Sequence, residues 1–131
     1  MVEQDYIMRL LHETVRSMIK LIFGTEEEQP EKVISDEKVL AGYQQYIVLA
    51  EEGKINEAEN LLYRERDTEN QEYLKAALLF YEYINTFTDA RLAECSYSRE
   101  EIKDGIDDAL QDFGYNGFAG IDMIEELFAR E

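Results

Sequence analysis

Residues 49–63 encode a helix, a glycine break and a second helix, and this stretch constrains the fold more than any other part of the chain. Gly53 can adopt the left-handed backbone conformation that ends a helix. Asn56 is predicted to cap the next helix, with Glu59 reaching back to it. Ala58 is small enough for two helices to approach closely. The stretch therefore predicts an αα-hairpin, in which each helix buries one face against the other.

The rest of the chain shows helical spacing and no strand pattern. Ser35 is expected to cap the first helix of the hairpin, and capping-box patterns beginning at Thr68 and Ser98 each predict a further helix. A last helix is expected over residues 118–128, and residues 88–97 fit either a short extra turn or a loop. With a helix at the N-terminus, the pattern predicts six helices and an all-α fold.

The N-terminal helix is predicted to be separable from the remaining chain. We divide the sequence into an amphipathic helix (1–24), a linker with the only proline (25–34) and a helical-hairpin domain (35–131). The apolar stripe of the first helix is too wide to remain in water. We expect it to dock in a second copy of the chain and form a homodimer. The predicted self-association residues are Ile7, Leu11, Val15, Met18 and Ile22.

Charge restricts the classes of partner. The net charge is −17, with 30 acidic residues against 13 Lys and Arg, and such a chain repels nucleic acid and anionic lipid. We therefore expect neither as a partner. No apolar run reaches the length of a membrane span, the N-terminus lacks the basic start of a signal peptide, and the one cysteine fits a reducing compartment. A cytoplasmic location is expected.

The hairpin resembles a tetratricopeptide repeat. Gly53, Ala58 and Leu62 fall where that repeat places glycine, alanine and a bulky residue. Tyr46 and Glu65 depart from the pattern, because both positions usually hold small residues. The resemblance implies one to one and a half degenerate repeats. A generic helical hairpin satisfies the same packing rules and stays an equal alternative.

The whole chain also resembles an uncharacterised bacterial family of small acidic helical proteins. The resemblance is carried by residues 4–10, 22–24, 53–59 and 97–102. It implies a helical, repeat-like fold and no assigned activity. The resemblance therefore transfers no functional residue to this chain.

The favoured function is a non-enzymatic protein–protein interaction module. Tyrosine combines a large contact area with a polar tip and is common at interfaces. The predicted partner-binding residues are Tyr43, Tyr46, Tyr73 and Tyr83. The partner itself is unidentified, and no cofactor is expected.

Two alternatives remain open. Glu69 with Glu72, and Glu101 with Asp104, form carboxylate pairs with the spacing that helical nucleotide phosphohydrolases use to hold magnesium. Acidic residues also concentrate in first helical turns for electrostatic reasons, so the spacing is weak evidence for an enzyme. The second alternative is an acidic regulator that binds a basic partner, with an affinity that falls steeply with salt.

Overall fold

Seven helices and no strand make up residues 4–115, the part of the chain that the computed structural model describes. The prediction of an all-α fold is confirmed. The C-terminal helix predicted over residues 118–128 lies outside the described residues. In chain order the helices are α1 (Gln4–Phe23), α2 (Pro30–Val33), α3 (Glu37–Glu51), α4 (Ile55–Glu65), α5 (Glu72–Asn85), α6 (Asp89–Glu94) and α7 (Arg99–Asp112).

Helix α5 is the centre of the fold. It packs against α1, α3 and α7 at once, and more lightly against α2. Buried side chains lie on almost every face of α5, because neighbouring helices cover three of its sides. Tyr73, in its first turn, is only half-buried. The buried residues of α5 are Leu74, Ala76, Ala77, Leu78, Leu79, Phe80, Tyr81, Ile84 and Asn85.

Helices α3 and α4 form the predicted hairpin. Gly53 has a φ of +83°, and its amide donates to the carbonyl of Ala50 at 3.0 Å, which closes α3. The predicted cap by Asn56 is wrong, because its side-chain amide donates instead to the carbonyls of Cys95 and Ser96. The likeness of the hairpin to a tetratricopeptide repeat stays a prediction.

The region before α7 combines a confirmed cap with an additional helix. The Ser98 hydroxyl accepts a hydrogen bond from the amide of Glu101 at 3.2 Å, so the predicted cap is confirmed. Residues 88–97 contain α6, which begins where the Thr88 hydroxyl accepts from the amide of Arg91 at 3.1 Å. The ambiguous segment is therefore a short helix followed by a turn.

Two other predicted caps are wrong. Asp36 rather than Ser35 caps α3, because the amide and hydroxyl of Ser35 donate to the carboxylate of Glu72. Helix α5 begins at Glu72 rather than near Thr68, and the Asn70 side chain accepts from the amide of Glu72 at 3.0 Å. At both helix starts, a side-chain oxygen of another residue, Asp36 or Asn70, accepts the hydrogen bond from a backbone amide.

Helix α1 packs inside the same chain, in one hydrophobic core with the other helices. The Asn85 side chain donates to the carbonyl of Met8 at 2.8 Å, and Arg16 pairs with Glu82. Ile22, one of the predicted self-association residues, is half-buried, whereas the other four are fully covered. The buried residues of the stripe are Ile7, Leu11, Val15, Met18 and Ile19.

The segment between α1 and α3 is also attached to the body. The Arg16 guanidinium donates to the carbonyl of Glu27 at 3.1 Å while it pairs with Glu82 of α5. Val33 and Ile34 are buried at the end of α2. The predicted linker thus contributes side chains to the core. No helix in residues 4–115 is long and apolar enough to cross a membrane.

Arg99 joins the ends of three helices. Its side chain is 4% exposed. It donates to the carbonyl of Asn85 at 2.7 Å and to that of Phe87 at 2.9 Å, and it pairs with Asp89 at 2.7 Å. The guanidinium therefore satisfies carbonyls at the end of α5 while it fixes the starts of α6 and α7.

Replacing Arg99 with methionine should lower the free energy of unfolding by about 3 kcal/mol, because buried carbonyls lose their donors. Urea denaturation followed by circular dichroism measures the change. Arg64→Met is the matched control, because Arg64 is exposed on α4, and it should cost less than about 0.5 kcal/mol. Equal losses in the two variants would contradict the role assigned to Arg99.

Candidate functional site

A cleft of about 530 Å³ lies between α4 and α7 and is bordered by the turn before α7. We call it the acidic cleft, because four of its lining residues are carboxylates and none of the described lining residues is basic. Its volume falls in the range of small-molecule and side-chain binding sites. The lining residues are Asn56, Glu59, Tyr63, Tyr97, Glu101, Asp104, Gly105 and Asp108.

Helical periodicity explains how these residues share one cleft. Residues spaced three or four apart lie on one face of a helix. Asn56, Glu59 and Tyr63 have this spacing on α4. On α7 the same spacing of three or four residues separates Glu101 from residues 104 and 105, and these two from Asp108. Two polar stripes therefore face each other across the gap.

Two buried phenols hold Glu59 beside the cleft. The Tyr81 hydroxyl donates to Glu59 Oε2 at 2.6 Å, and the Tyr97 hydroxyl donates to the same oxygen at 2.8 Å. Burial, together with the nearby Glu59 carboxylate, raises the pKa of both tyrosines above the ordinary value. Both therefore stay neutral hydrogen-bond donors at physiological pH.

Gly105 gives Tyr81 access to Glu59. A Cβ atom on Gly105 would lie 2.3 Å from two ring carbons of Tyr81, far inside van der Waals contact. Glycine in a helix interior costs about 1 kcal/mol relative to alanine. The missing side chain at this position lets the phenol of a core helix pass under α7 and reach Glu59.

At the other end of the cleft, a guanidinium outside the lining stacks on Tyr63. The Tyr63 hydroxyl donates to Asp108 Oδ2 at 2.6 Å, and burial together with this bond raises the pKa of Tyr63 to about 12. The Arg66 guanidinium lies 4.4 Å from the centre of the Tyr63 ring and pairs with Asp112 at 2.8 Å. The phenol and the neighbouring carboxylates thus already accommodate one cation of the protein itself.

Negative charge is concentrated within the cleft. Partial burial and the Glu59 carboxylate raise the pKa of Glu101 above its ordinary value. Asp104 is paired with Lys103 Nζ at 2.7 Å. In residues 4–115, no group of three or more Asp, Glu, His and Cys side chains is arranged to hold a metal ion.

The structure separates the four predicted partner-binding tyrosines. Tyr43 and Tyr46 are buried in α3, and the Tyr46 hydroxyl donates to Glu65 at 2.5 Å. Tyr73 is half-buried and lines a second cleft of about 350 Å³ beside Gly42. Tyr83 is half-buried and lies about 15 Å from Tyr73 along the α5 axis. These residues therefore do not present four rings to one partner.

The carboxylate pairs of the hydrolase alternative lie at opposite ends of the fold. Helices α5 and α7 are antiparallel, since Tyr115 contacts Gln71 at one end and Arg99 contacts Asn85 at the other. The first pair, residues 69 and 72, is at the start of α5, whereas the second pair, residues 101 and 104, is at the start of α7. The structure does not bring the two pairs together.

Glu72 makes structural contacts. Its carboxylate accepts from the amides of Ser35 at 2.6 Å and Asp36 at 2.9 Å, and it pairs with Lys75 at 2.5 Å. Burial opposes ionisation, but Lys75 and the two amides outweigh it and lower the pKa of Glu72. Glu69 is exposed on the preceding turn.

The fold and the cleft define a class: a small all-α protein built around one buried helix, with an acidic cleft on its surface. The sequence model of a protein family of unknown function, DUF6483, matches residues 1–114. The chain belongs to this family. The resemblance to an uncharacterised family is thereby confirmed. Neither a curated protein nor a solved structure matches the chain.

Gly105→Ala should destabilise the protein by about 1–3 kcal/mol, because the new Cβ overlaps the Tyr81 ring. In an open helix the same change would stabilise by about 1 kcal/mol, so the sign is diagnostic. Gly42→Ala is the control: its Cβ would lie 3.1 Å from the nearest atom, and it should be better tolerated. Thermal denaturation measures both. A gain in stability for Gly105→Ala would contradict the close contact between the Tyr81 ring and the α7 backbone at Gly105.

Proposed function

We propose that the protein is a non-enzymatic interaction module of the cytoplasm, which binds a basic segment of a partner protein in the acidic cleft. The observation that carries the proposal is a cleft with four carboxylates and no basic residue among its described lining. Lys103 pairs with Asp104, and Arg66 lies 3.7 Å from Asp108. A lysine or arginine side chain of the partner would therefore neutralise chiefly Glu59 and Glu101.

Electrostatics support this choice of partner. A concave surface lined with charges of one sign concentrates the potential and attracts ligands of the opposite sign. The net charge of −17 adds a long-range attraction for basic segments and repels nucleic acid and anionic membranes. Tyr63, which is 39% exposed, also offers aromatic surface for the aliphatic stem or the charged tip of the inserted side chain.

The acidic cleft fits a basic partner better than the separated tyrosines fit a groove-binding helix. Tyr43 and Tyr46 belong to the core, so a partner would have to unfold part of α3 to contact their rings. In the acidic cleft, by contrast, Tyr63, Glu101 and Asp108 are already exposed to solvent. The proposal therefore keeps the interaction module expected from the sequence and moves its binding surface from α3 and α5 to α4 and α7.

Homodimer formation through the N-terminal helix is a separate proposal. Four of its five predicted contact residues are covered within one chain, so a dimer of this kind would require two chains to exchange α1. Arg16, which bonds to Glu27 and pairs with Glu82, would have to be released first. Light scattering over a range of protein concentrations tests the proposal, and a constant monomer mass would contradict it.

A lysine-rich peptide tests the proposed function by isothermal titration calorimetry. The double variant Glu101→Gln/Asp108→Asn should weaken binding about tenfold, because two cleft charges are lost. The control is Glu57→Gln/Glu94→Gln, which removes the same net charge from exposed positions outside the cleft. It should weaken binding less than about twofold.

Two further outcomes would contradict the proposal: equal weakening by both double variants, or no binding of the peptide to the unmodified chain at low salt. Affinity should fall as salt rises. It should also fall as the pH is lowered. Because the pKa of Glu101 is raised, this carboxylate gains its proton, and loses its attraction for a cation, at a higher pH than an ordinary glutamate.

A further inference from the structure

We propose that Tyr81 and Tyr97 are positioning residues of the acidic cleft, which fix Glu59 as the carboxylate that receives the charged tip of the partner's side chain. This inference rests on the proposed function and names the group within the cleft that orients the ligand. A packed core requires the rings of these two tyrosines but not their hydroxyl groups, and holding Glu59 is the role of the hydroxyls.

The first argument is the convergence of two hydroxyls on one atom. Tyr81 belongs to the central helix and Tyr97 to the turn before α7, yet both donate to Oε2 of Glu59 at 2.6 and 2.8 Å. A half-buried glutamate ordinarily retains considerable rotational freedom. Two bonds from different directions remove that freedom before any ligand arrives, which lowers the entropic cost of binding.

The second argument is the burial of the two donors. Tyr81 is fully buried and Tyr97 is 5% exposed, so their hydroxyls need a partner inside the protein. Both hydroxyls bond to a residue that lines the acidic cleft. Gly105 contributes to the same arrangement, because any side chain there would block Tyr81. Tyr81, Tyr97 and Gly105 thus lie on three different parts of the chain, and each helps to set the orientation of Glu59.

The ligand class follows from the charge of the cleft lining, which includes four carboxylates. No group of three or more potential ligands in residues 4–115 is close enough to hold a metal ion, so the cleft lacks a compact cation site. A lysine ammonium or arginine guanidinium bonds to one fixed carboxylate and leaves its stem beside the exposed Tyr63 ring. Glu59 provides that carboxylate, and the stripe on α7 surrounds the inserted side chain with further negative charge.

The test is the affinity of the full chain for the lysine-rich peptide in a double-mutant cycle. Tyr97→Phe should weaken binding about three- to tenfold, the cost of having to immobilise a side chain that has lost one of its two orienting bonds. In a Glu59→Gln background, the same change should produce no further loss, because the phenol acts through Glu59. Tyr46→Phe is the control: it removes the hydroxyl of an equally buried tyrosine that donates to Glu65 outside the acidic cleft.

The outcomes separate this inference from the proposed function. If the unmodified chain does not bind the peptide, the proposed function fails. If cleft charge variants weaken binding but Tyr97→Phe acts like Tyr46→Phe, only the positioning role fails. Should Tyr97→Phe not fold, Glu59→Asp decides the matter, because it keeps the charge and withdraws the carboxylate from both hydroxyls. It should weaken binding at least threefold, and unchanged affinity would overturn the inference.

Discussion

The burial of α5 on almost every side is the constraint on which the rest of the structure depends. A helix that is apolar around its circumference cannot lie on a surface, so other helices must cover it. Amphipathic α1, α3 and α7 do so, each through one apolar face. This arrangement also explains why α1 packs within the chain. Its wide stripe covers a side of α5 that would otherwise be exposed to water.

Polar side chains on a buried helix need partners, and on α5 these partners organise the surface. Asn85 donates to α1 and accepts from Arg99, which fixes the start of α7. Glu82 pairs with Arg16, which attaches the segment after α1. Tyr81 bonds to Glu59 on α4. Packing and site geometry therefore share a cause, because the group that fixes Glu59 is also a core residue.

Local features of the fold were predictable from sequence because they depend on neighbouring residues. Gly53 closes α3 through its own backbone conformation, and Ser98 caps α7 through an amide three residues away. Caps with competing partners were not predictable. Ser35 donates to Glu72, a residue 37 positions away, and so leaves the cap of α3 to Asp36. Sequence spacing carries no information about such a partner until the fold brings it close.

The acidic cleft was unpredictable for the same reason, although both of its stripes are visible in the sequence. The spacing of Glu59 and Tyr63 on α4, and of Glu101 and Asp108 on α7, identifies one polar face on each helix. A polar face normally meets only water. That these two faces oppose each other follows from α5, against which α7 packs directly while α4 packs on α3. Gly105 is the one sequence signal of this juxtaposition, because glycine inside a helix indicates a close approach.

The opposition of the two stripes has an energetic consequence that distinguishes the cleft from the rest of an acidic surface. Isolated surface carboxylates are well solvated and repel one another weakly. Glu59 is half-buried and faces the exposed Glu101 across the cleft, and partial desolvation together with the Glu59 charge raises the pKa of Glu101. A cation placed between them relieves this repulsion and gains attraction from both sides. The cleft therefore favours a positively charged occupant more than the net charge of the protein alone does.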